Sequence, residues 1–210
     1  VFHVKHEKDG QFVQPDDRLR ALSLAVRSSP HNLVSRAARE QIDSRHIPES
    51  VAVAMWLPKG IRTLLDIGSG GGFPGLVIAI VRPEITVHLV DSVAKKAQFL
   101  SETAAALAVS CVVHAQRAEV LAQSPDAPRV DAVTARAVAS LSDLAQMAAP
   151  LLRPGGFLYA IKGERWSDEV DAARDTLKRV KLRVHALPEA GIDPPDGSLP
   201  RVVALQKQEK

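Results

Sequence analysis

The sequence predicts an α/β protein: a doubly wound, mostly parallel sheet of seven strands behind a helical N-terminal lobe. Three observations predict it. A short apolar strand runs into a glycine-rich turn and then an apolar helix between residues 63 and 81. From Ile61 onward, β-branched runs alternate with stretches at helical spacing, the signature of strands joined by crossover helices. The last two apolar stretches, 182–187 and 202–205, are joined by a Pro- and Gly-rich loop (188–200) with no helix between them. That ending suits an antiparallel final strand at the sheet edge.

The elements follow in order. Residues 1–15 are polar, with Gly10 and Pro15, and read as a loose arm. Leu19, Leu22, Ala25 and Val26 fall at helical spacing over 16–28, with Asp16 and Asp17 favouring the helix start and Pro30 following its end. Ser35 can cap a second helix to about residue 44, and Ser50 a third over 51–57, with 45–50 as a break between them. Strands are expected at 63–67, 86–90, 111–114, 131–134 and 157–162. Helices are expected over 94–108, 141–152 (stopped by Pro154-Gly155-Gly156) and 168–180. The chain thus divides into an arm and helical lobe (1–60) and the sheet (61–210), in one compact unit.

Bulk properties exclude several classes. With 210 residues and 46% hydrophobic content the chain can bury one good core. One cysteine, Cys111, excludes a disulfide framework and suits a reducing cytosol. No apolar run is long enough to span a bilayer and no signal-peptide pattern opens the chain, so a cytoplasmic protein with no membrane partner is expected. A net charge of +3 and a pI near 9.2 permit a nucleic-acid partner without demanding one. Nothing specifies a dimer, and a monomer is expected.

The organising stretch is Thr63-Leu64-Leu65-Asp66-Ile67-Gly68-Ser69-Gly70-Gly71-Gly72-Phe73-Pro74-Gly75. Glycine lets a backbone take positive φ and approach a ligand closely, and the following helix points free N–H groups over the turn. Two nucleotide-like cofactors compete for it. Residues 70–75 fit the dinucleotide pattern G-x-G-x-x-G, a weak match alone. Asp66 followed by Gly68, Gly70 and Gly72 fits the D-x-G-x-G-x-G turn that binds S-adenosylmethionine (SAM). Asp91, ending the next strand, suits the ribose hydroxyls of either. Asp66 favours SAM, because a carboxylate there repels a pyrophosphate but attracts a sulfonium and an amino group. A nicotinamide-dependent oxidoreductase is the remaining alternative, as is a turn that merely connects strand to helix.

Several separate segments carry a family resemblance. They are Asn32-Leu33-Val34-Ser35, Arg45-His46-Ile47-Pro48-Glu49-Ser50, the glycine turn with its Phe-Pro-Gly tail, Val90-Asp91-Ser92 with Lys95-Lys96 and Phe99-Leu100, Ala135-Arg136-Ala137 with Ala139-Ser140-Leu141, and Lys162-Gly163. Together, over about 31–205, they resemble the RsmG (GidB) family, SAM-dependent methyltransferases that make 7-methylguanosine in bacterial small-subunit (16S) ribosomal RNA. The family usually has Asp where this chain has Glu49, which keeps the charge and moves it by a methylene. The resemblance implies the class I SAM-dependent methyltransferase (Rossmann-like) fold, and a small-subunit rRNA or ribosomal-subunit partner. It also implies that Gly68 and Phe73 border the cofactor, that Ala118 and Glu119 approach its adenine, and that Arg136 contacts it. Asp66, Gly70 and Asp91 complete the expected cofactor set.

Each residue has a plainer alternative: Asp91 as a cap for the helix near Ala94, Glu119 as a solvated surface residue, Arg136 as a surface partner of Asp131 or Asp143. For Phe73, core packing is compatible with touching a ligand edge. Arg45, His46 and Lys162 are candidate RNA contacts, the first two against a turn held by internal bonds, the third against a solvated lysine. The basic run Lys178, Arg179, Lys181 and Arg183 reads first as a helix end favouring cations. Trp56 reads as core and Trp166 as the more exposed aromatic.

No catalytic acid, base or metal set is expected. Guanine N7 offers an in-plane lone pair and needs no deprotonation, so alignment of acceptor, methyl and sulfur would supply most of the rate. Cys111 reads as a structural thiol, and the seven histidines show no metal-ligand spacing. Two further readings stand beside this one: a methyltransferase of a non-RNA substrate, and a ribosome-associated RNA-binding protein with a regulatory SAM site.

Overall fold

The computed structural model describes residues 15–185 and 201–209, so the expected arm and the 188–200 loop lie outside the described residues. The lobe consists of α1 (Pro15–Ser28), α2 (Arg36–Glu40), a π-helical turn (Ile42–His46) and α3 (Ile47–Trp56). Ser35 caps α2, its Oγ accepting from the Ala38 N–H at 3.2 Å. The expected break at 45–50 is absent. The π-turn runs directly into α3, which Pro48 tolerates because its missing N–H falls in the first turn. Ser50 is no cap; it is fully buried and donates its hydroxyl to the His46 carbonyl.

The sheet comprises β1 (Thr63–Ile67), β2 (Thr86–Val90), β3 (Cys111–His114), β4 (Val130–Arg136), β5 (Leu152–Lys162), β6 (Leu182–Val184) and β7 (Arg201–Lys207). Its connecting helices are α4 (Gly75–Val81), α5 (Ala94–Ala106), α6 (Ala118–Gln123), α7 (Leu141–Ala148) and α8 (Trp166–Arg179). The order is β3-β2-β1-β4-β5-β7-β6, with β7 antiparallel to both neighbours. The last strand is therefore antiparallel as expected but not at the edge. Val202 to Leu205 are all buried, whereas β6 exposes Arg183 and Val184. A strand covered on both faces belongs inside the sheet.

Two other boundaries move. The helix expected to reach 152 ends at Ala148, because the Leu151 carbonyl is recruited by the Val130 N–H. Pro154-Gly155-Gly156 then lies inside β5, at a register shift against β4, with Gly155 at φ +77°. The short α6 was not foreseen; six residues with only Ala118 and Leu121 buried carry little periodicity.

Apolar layers cover both faces. On one, Leu22, Val26, Leu33, Ile42 and Val53 of the lobe pack with Leu64, Ile78 and Leu89 in a single cluster. On the other, Leu141, Leu144 and Leu177 pack against Leu65, Val133 and Leu158. Trp56 packs against the first cluster, and Trp166, expected to be more exposed, leans on the second. The strand order reverses between β1 and β4, where Ile67 lies opposite Ala135. Ligands of open α/β sheets bind at such a reversal, beyond the strand C-termini. Gly68, Asp91, Arg136 and Lys162 all sit there.

Candidate functional site

The turn after β1 needs its glycines. Gly68, Gly70 and Gly72 adopt φ of +70°, +51° and +93°, a region costly for other residues. The Gly68 and Ser69 N–H groups bond the Val90 carbonyl, and the Gly72 N–H bonds the Ser69 carbonyl. The lobe closes over this turn: the Leu33 carbonyl oxygen would lie 3.2 Å from a Cβ on Gly70, and Val34 Cγ1 3.1 Å from one on Gly71.

Asp91 combines its two readings. Its Oδ2 accepts from the Gly70 N–H at 3.0 Å, tying β2 to the turn, and its Oδ1 accepts from the Val93 N–H just before α5. Each oxygen keeps a second lone pair for a hydroxyl at the mouth. Asp66 is placed differently from expectation. It is fully buried behind the turn, Oδ1 accepting from the Thr134 hydroxyl at 2.8 Å and Oδ2 from the Gly75 N–H at 3.2 Å. It therefore braces the turn from within instead of facing the cleft. Burial pushes its carboxyl up to about 6, against the pull of Thr134, Ser69, Gly75 and Arg136.

The central cluster joins lobe and sheet. Arg136 Nη1 donates to Glu49 Oε2 and to His46 Nδ1, the latter at 2.8 Å, while Glu49 Oε1 accepts from Arg45 Nε at 2.9 Å. The side chains of Arg136 and Glu49 are 14% and 7% exposed, so this is a buried pair and not the surface pairing to Asp131 or Asp143. Asp131 is engaged elsewhere, accepting from the Arg62 and Thr63 backbone and from Arg153. Because Nδ1 accepts, His46 carries its proton on Nε2 (an assignment from the network). Burial, with Arg136 and Arg45, lowers the imidazole to about 4 against the opposing charge of Glu49, leaving it neutral at pH 7. Its ring lies 6.0 Å from that of Phe73, which is buried beside the turn.

Three donors in this cluster are buried without partners: Arg136 Nε, Arg136 Nη2 and His46 Nε2. Unmet buried donors are costly, and the two on Arg136 form the parallel fork that suits a carboxylate or phosphate. A cavity of about 820 Å³ adjoins them, lined by Arg45, Glu49, Arg136, Val138, Lys162 and Arg201 among others. These features fit a cofactor that carries both a carboxylate and ribose hydroxyls, such as SAM: an unpartnered fork at Arg136, and a carboxylate at Asp91 beside a glycine turn.

Lys162 is not solvated. Its Nζ, on a side chain 7% exposed, donates to the Ala139 carbonyl at 2.6 Å and pairs with Glu169 at 2.8 Å. Glu169 also accepts from the Leu141 N–H, so the pair clamps the loop after β4. Val138 in that loop lies over Gly68, its Cγ2 2.7 Å from where a Cβ would stand. Ala118 is buried at the start of α6, and Glu119 is exposed beside it. Cys111 is half-buried, and burial raises its thiol. No group of three or more potential metal ligands occurs among the described residues. Sequence reasoning missed the partners Thr134, Glu169 and Val138; each acts through a contact across strands or helices that local patterning does not encode.

Strand order, glycine turn and strand-end carboxylate together define a class I SAM-dependent methyltransferase. Solved structures share the fold. A SAM-dependent O-methyltransferase from Thermotoga maritima superposes with a TM-score of 0.56 at 15% identity, over 78% of this chain and 66% of its own. The cofactor-bound Rv0187 from MTB superposes at 0.60 with 20% identity, over 95% and 94%. The particular family comes from sequence. Residues 21–193 match the GidB family, described as rRNA small subunit methyltransferase G. The ribosomal RNA small subunit methyltransferase G of Rhodospirillum centenum is 43% identical over 189 residues, covering 89% of this chain and 82% of the relative. The chain belongs to the GidB family.

Proposed function

We propose that this protein transfers a methyl group from SAM to N7 of a guanine in small-subunit (16S) ribosomal RNA. The observation that carries the reading is the family match, which spans the lobe as well as the sheet. The site supports it. The cofactor supplies a methyl group on a positively charged sulfur. Asp91 accepts the ribose hydroxyls, the Arg136 fork holds the carboxylate, and Gly68 and Phe73 border its length with Ala118 and Glu119 at the adenine side. Neutral His46 adds no charge beside a base that becomes cationic on methylation. N7 attacks with a free lone pair, so the protein's work is to hold acceptor and methyl in line. The cavity beside Arg136 falls in the size range of small-ligand sites and admits a base with its sugar.

The protein acts as a monomer in the cytoplasm, with its lobe and sheet as one folding unit; the shared apolar cluster supports the last point. No helix among the described residues is long and apolar enough to cross a membrane. Labelled methyl transfer to small subunits lacking the modification, followed by cleavage at 7-methylguanosine, tests the reading. Label at one small-subunit guanine, lost in Asp91→Ala, supports it. SAM binding with no transfer to any RNA would overturn it.

A further inference from the structure

A second concavity, of about 540 Å³, lies on the lobe and is lined by Arg27, Asn32, Val34, Arg36, Arg39 and Glu40. The geometry points to this cavity as a docking site for the phosphodiester backbone of the RNA substrate, with Arg36 as its phosphate-binding residue. The inference rests on the rRNA reading above and places a substrate contact that neither the family resemblance nor the first cavity supplies.

Position is the first argument. Asn32 and Val34 belong to the loop that presses on Gly70 and Gly71, so one wall of the cavity also covers the cofactor turn. The short segment from α2 through the π-turn begins at this cavity with Arg36 and Arg39 and reaches the first at Arg45 and His46. The two cavities thus lie at the two ends of one short stretch of the lobe.

The division of labour among the arginines is the second argument. Arg39 donates to the Arg27 and His31 carbonyls, and Arg27 pairs with Asp43 at 2.8 Å, so both are spent on shaping the wall. The side chains of Arg36 and Asn32 are exposed and make no hydrogen bond or ion pair among the described residues. A free guanidinium fork matches phosphate oxygens bidentately, and a free amide offers both a donor and an acceptor to a ribose or a base edge. Glu40 on the rim and Asp43 against Arg27 are the acidic groups there, and three arginines outweigh them. By contrast Arg45 and Lys162, the basic residues expected to meet RNA, are both engaged in ion pairs.

The test is RNA binding by the full-length protein in its S-adenosylhomocysteine complex, followed by anisotropy over a range of salt. Naked small-subunit rRNA and intact small subunits are run side by side. Arg36→Glu is compared with wild type and with Arg174→Glu, an equal charge change at an exposed α8 position. Arg36→Gln serves as a milder second variant, and melting curves and cofactor affinity verify the fold of each. For Arg36→Glu the expected result is a Kd for naked rRNA raised about tenfold at low salt. The slope of log K against log salt should become shallower by about one. Cofactor affinity should remain unchanged, and Arg174→Glu should behave like wild type.

Equal affinity and slope in Arg36→Glu and Arg174→Glu would overturn the inference. So would a loss confined to intact subunits, which would put a ribosomal protein in the cavity. Methyl transfer by the wild type is scored separately. Its absence would count against the proposed activity while leaving the binding comparison readable.

Discussion

Arg136, ending β4, and Glu49, in the first turn of α3, are 87 positions apart in the chain yet form a buried ion pair at the sheet's reversal point. The pair fixes one end of the guanidinium and leaves its buried Nε–Nη2 edge without a partner. Lobe and cofactor cleft are joined through it. Arg136→Lys keeps the cation but cannot present two parallel donors. Its Kd for S-adenosylhomocysteine should rise at least about tenfold, the worth of one hydrogen bond to a charged group. Titration calorimetry checks this, and wild-type affinity in the variant would assign that edge to another ligand.

Glu49→Gln removes the charge and leaves Arg136 buried beside a neutral partner. Breaking a buried pair costs about 3–5 kcal/mol, the expected loss in chemical unfolding. Glu49→Asp restores the charge a methylene short, and its stability should fall between the two. If Glu49→Gln unfolds like wild type, the pair contributes nothing net.

Gly75 begins α4 with no room for a side chain. A Cβ there would stand 2.4 Å from Leu89 Cδ2 and 2.7 Å from Asp66 Oδ2. Gly75→Ala should therefore cost about 1–3 kcal/mol by overpacking, more if Asp66 loses its bond to the Gly75 N–H. Urea unfolding measures the loss, and a neutral result would mean that the turn shifts freely.

Two groups near the turn give opposite pH dependences. Asp66 titrates near 6 when folded against an ordinary 3.8, so the native chain holds that proton more tightly than the unfolded chain. Its contribution is present below pH 3.8 and is lost as the pH rises through 6. His46 titrates near 4 against 6.5, so its contribution is present above 6.5 and is lost as the pH falls through 4. Asp66→Asn, whose amide the Thr134 hydroxyl can turn to meet, should abolish a stability loss between pH 4 and 6. His46→Gln should abolish a gain between pH 4 and 6.5. Urea midpoints across that range decide both, and unchanged profiles would contradict the assigned environments.

Lys162→Gln cuts the tie between β5, Glu169 and the Ala139 carbonyl. Amide exchange in the 137–141 loop should accelerate about tenfold or more, while β1 and β4 stay protected. Uniform exchange across loop and strands would show that the clamp is dispensable.

Much of the fold was legible because its signals are local. The strand–turn–helix at 63–81 announces itself through apolar residues and glycines within a few positions, and the alternation after Ile61 gives the sheet its class. The antiparallel β7 followed from the Pro- and Gly-rich composition of 188–200, which predicts no crossover helix, but its place inside the sheet did not, since strand order is a matter of which faces are covered. Likewise 45–50 looks like an interruption from its Pro and polar residues, although Pro48 in a first helical turn interrupts nothing.

The sequence by itself determined a glycine turn beside a strand-end carboxylate, and through its motifs the family. Tertiary structure decided what each charge does. Asp66 turns inward because Thr134, 68 positions away, offers it a hydroxyl. Lys162 is spent on Glu169 and Arg136 gives one nitrogen to Glu49 while keeping its other edge unpartnered, and Arg36 has no side-chain partner among the described residues. Residue type and spacing fix which charges a chain carries. Which remain available to a ligand depends on the partners and burial that folding gives them, because a buried charge must be paired before it can be kept.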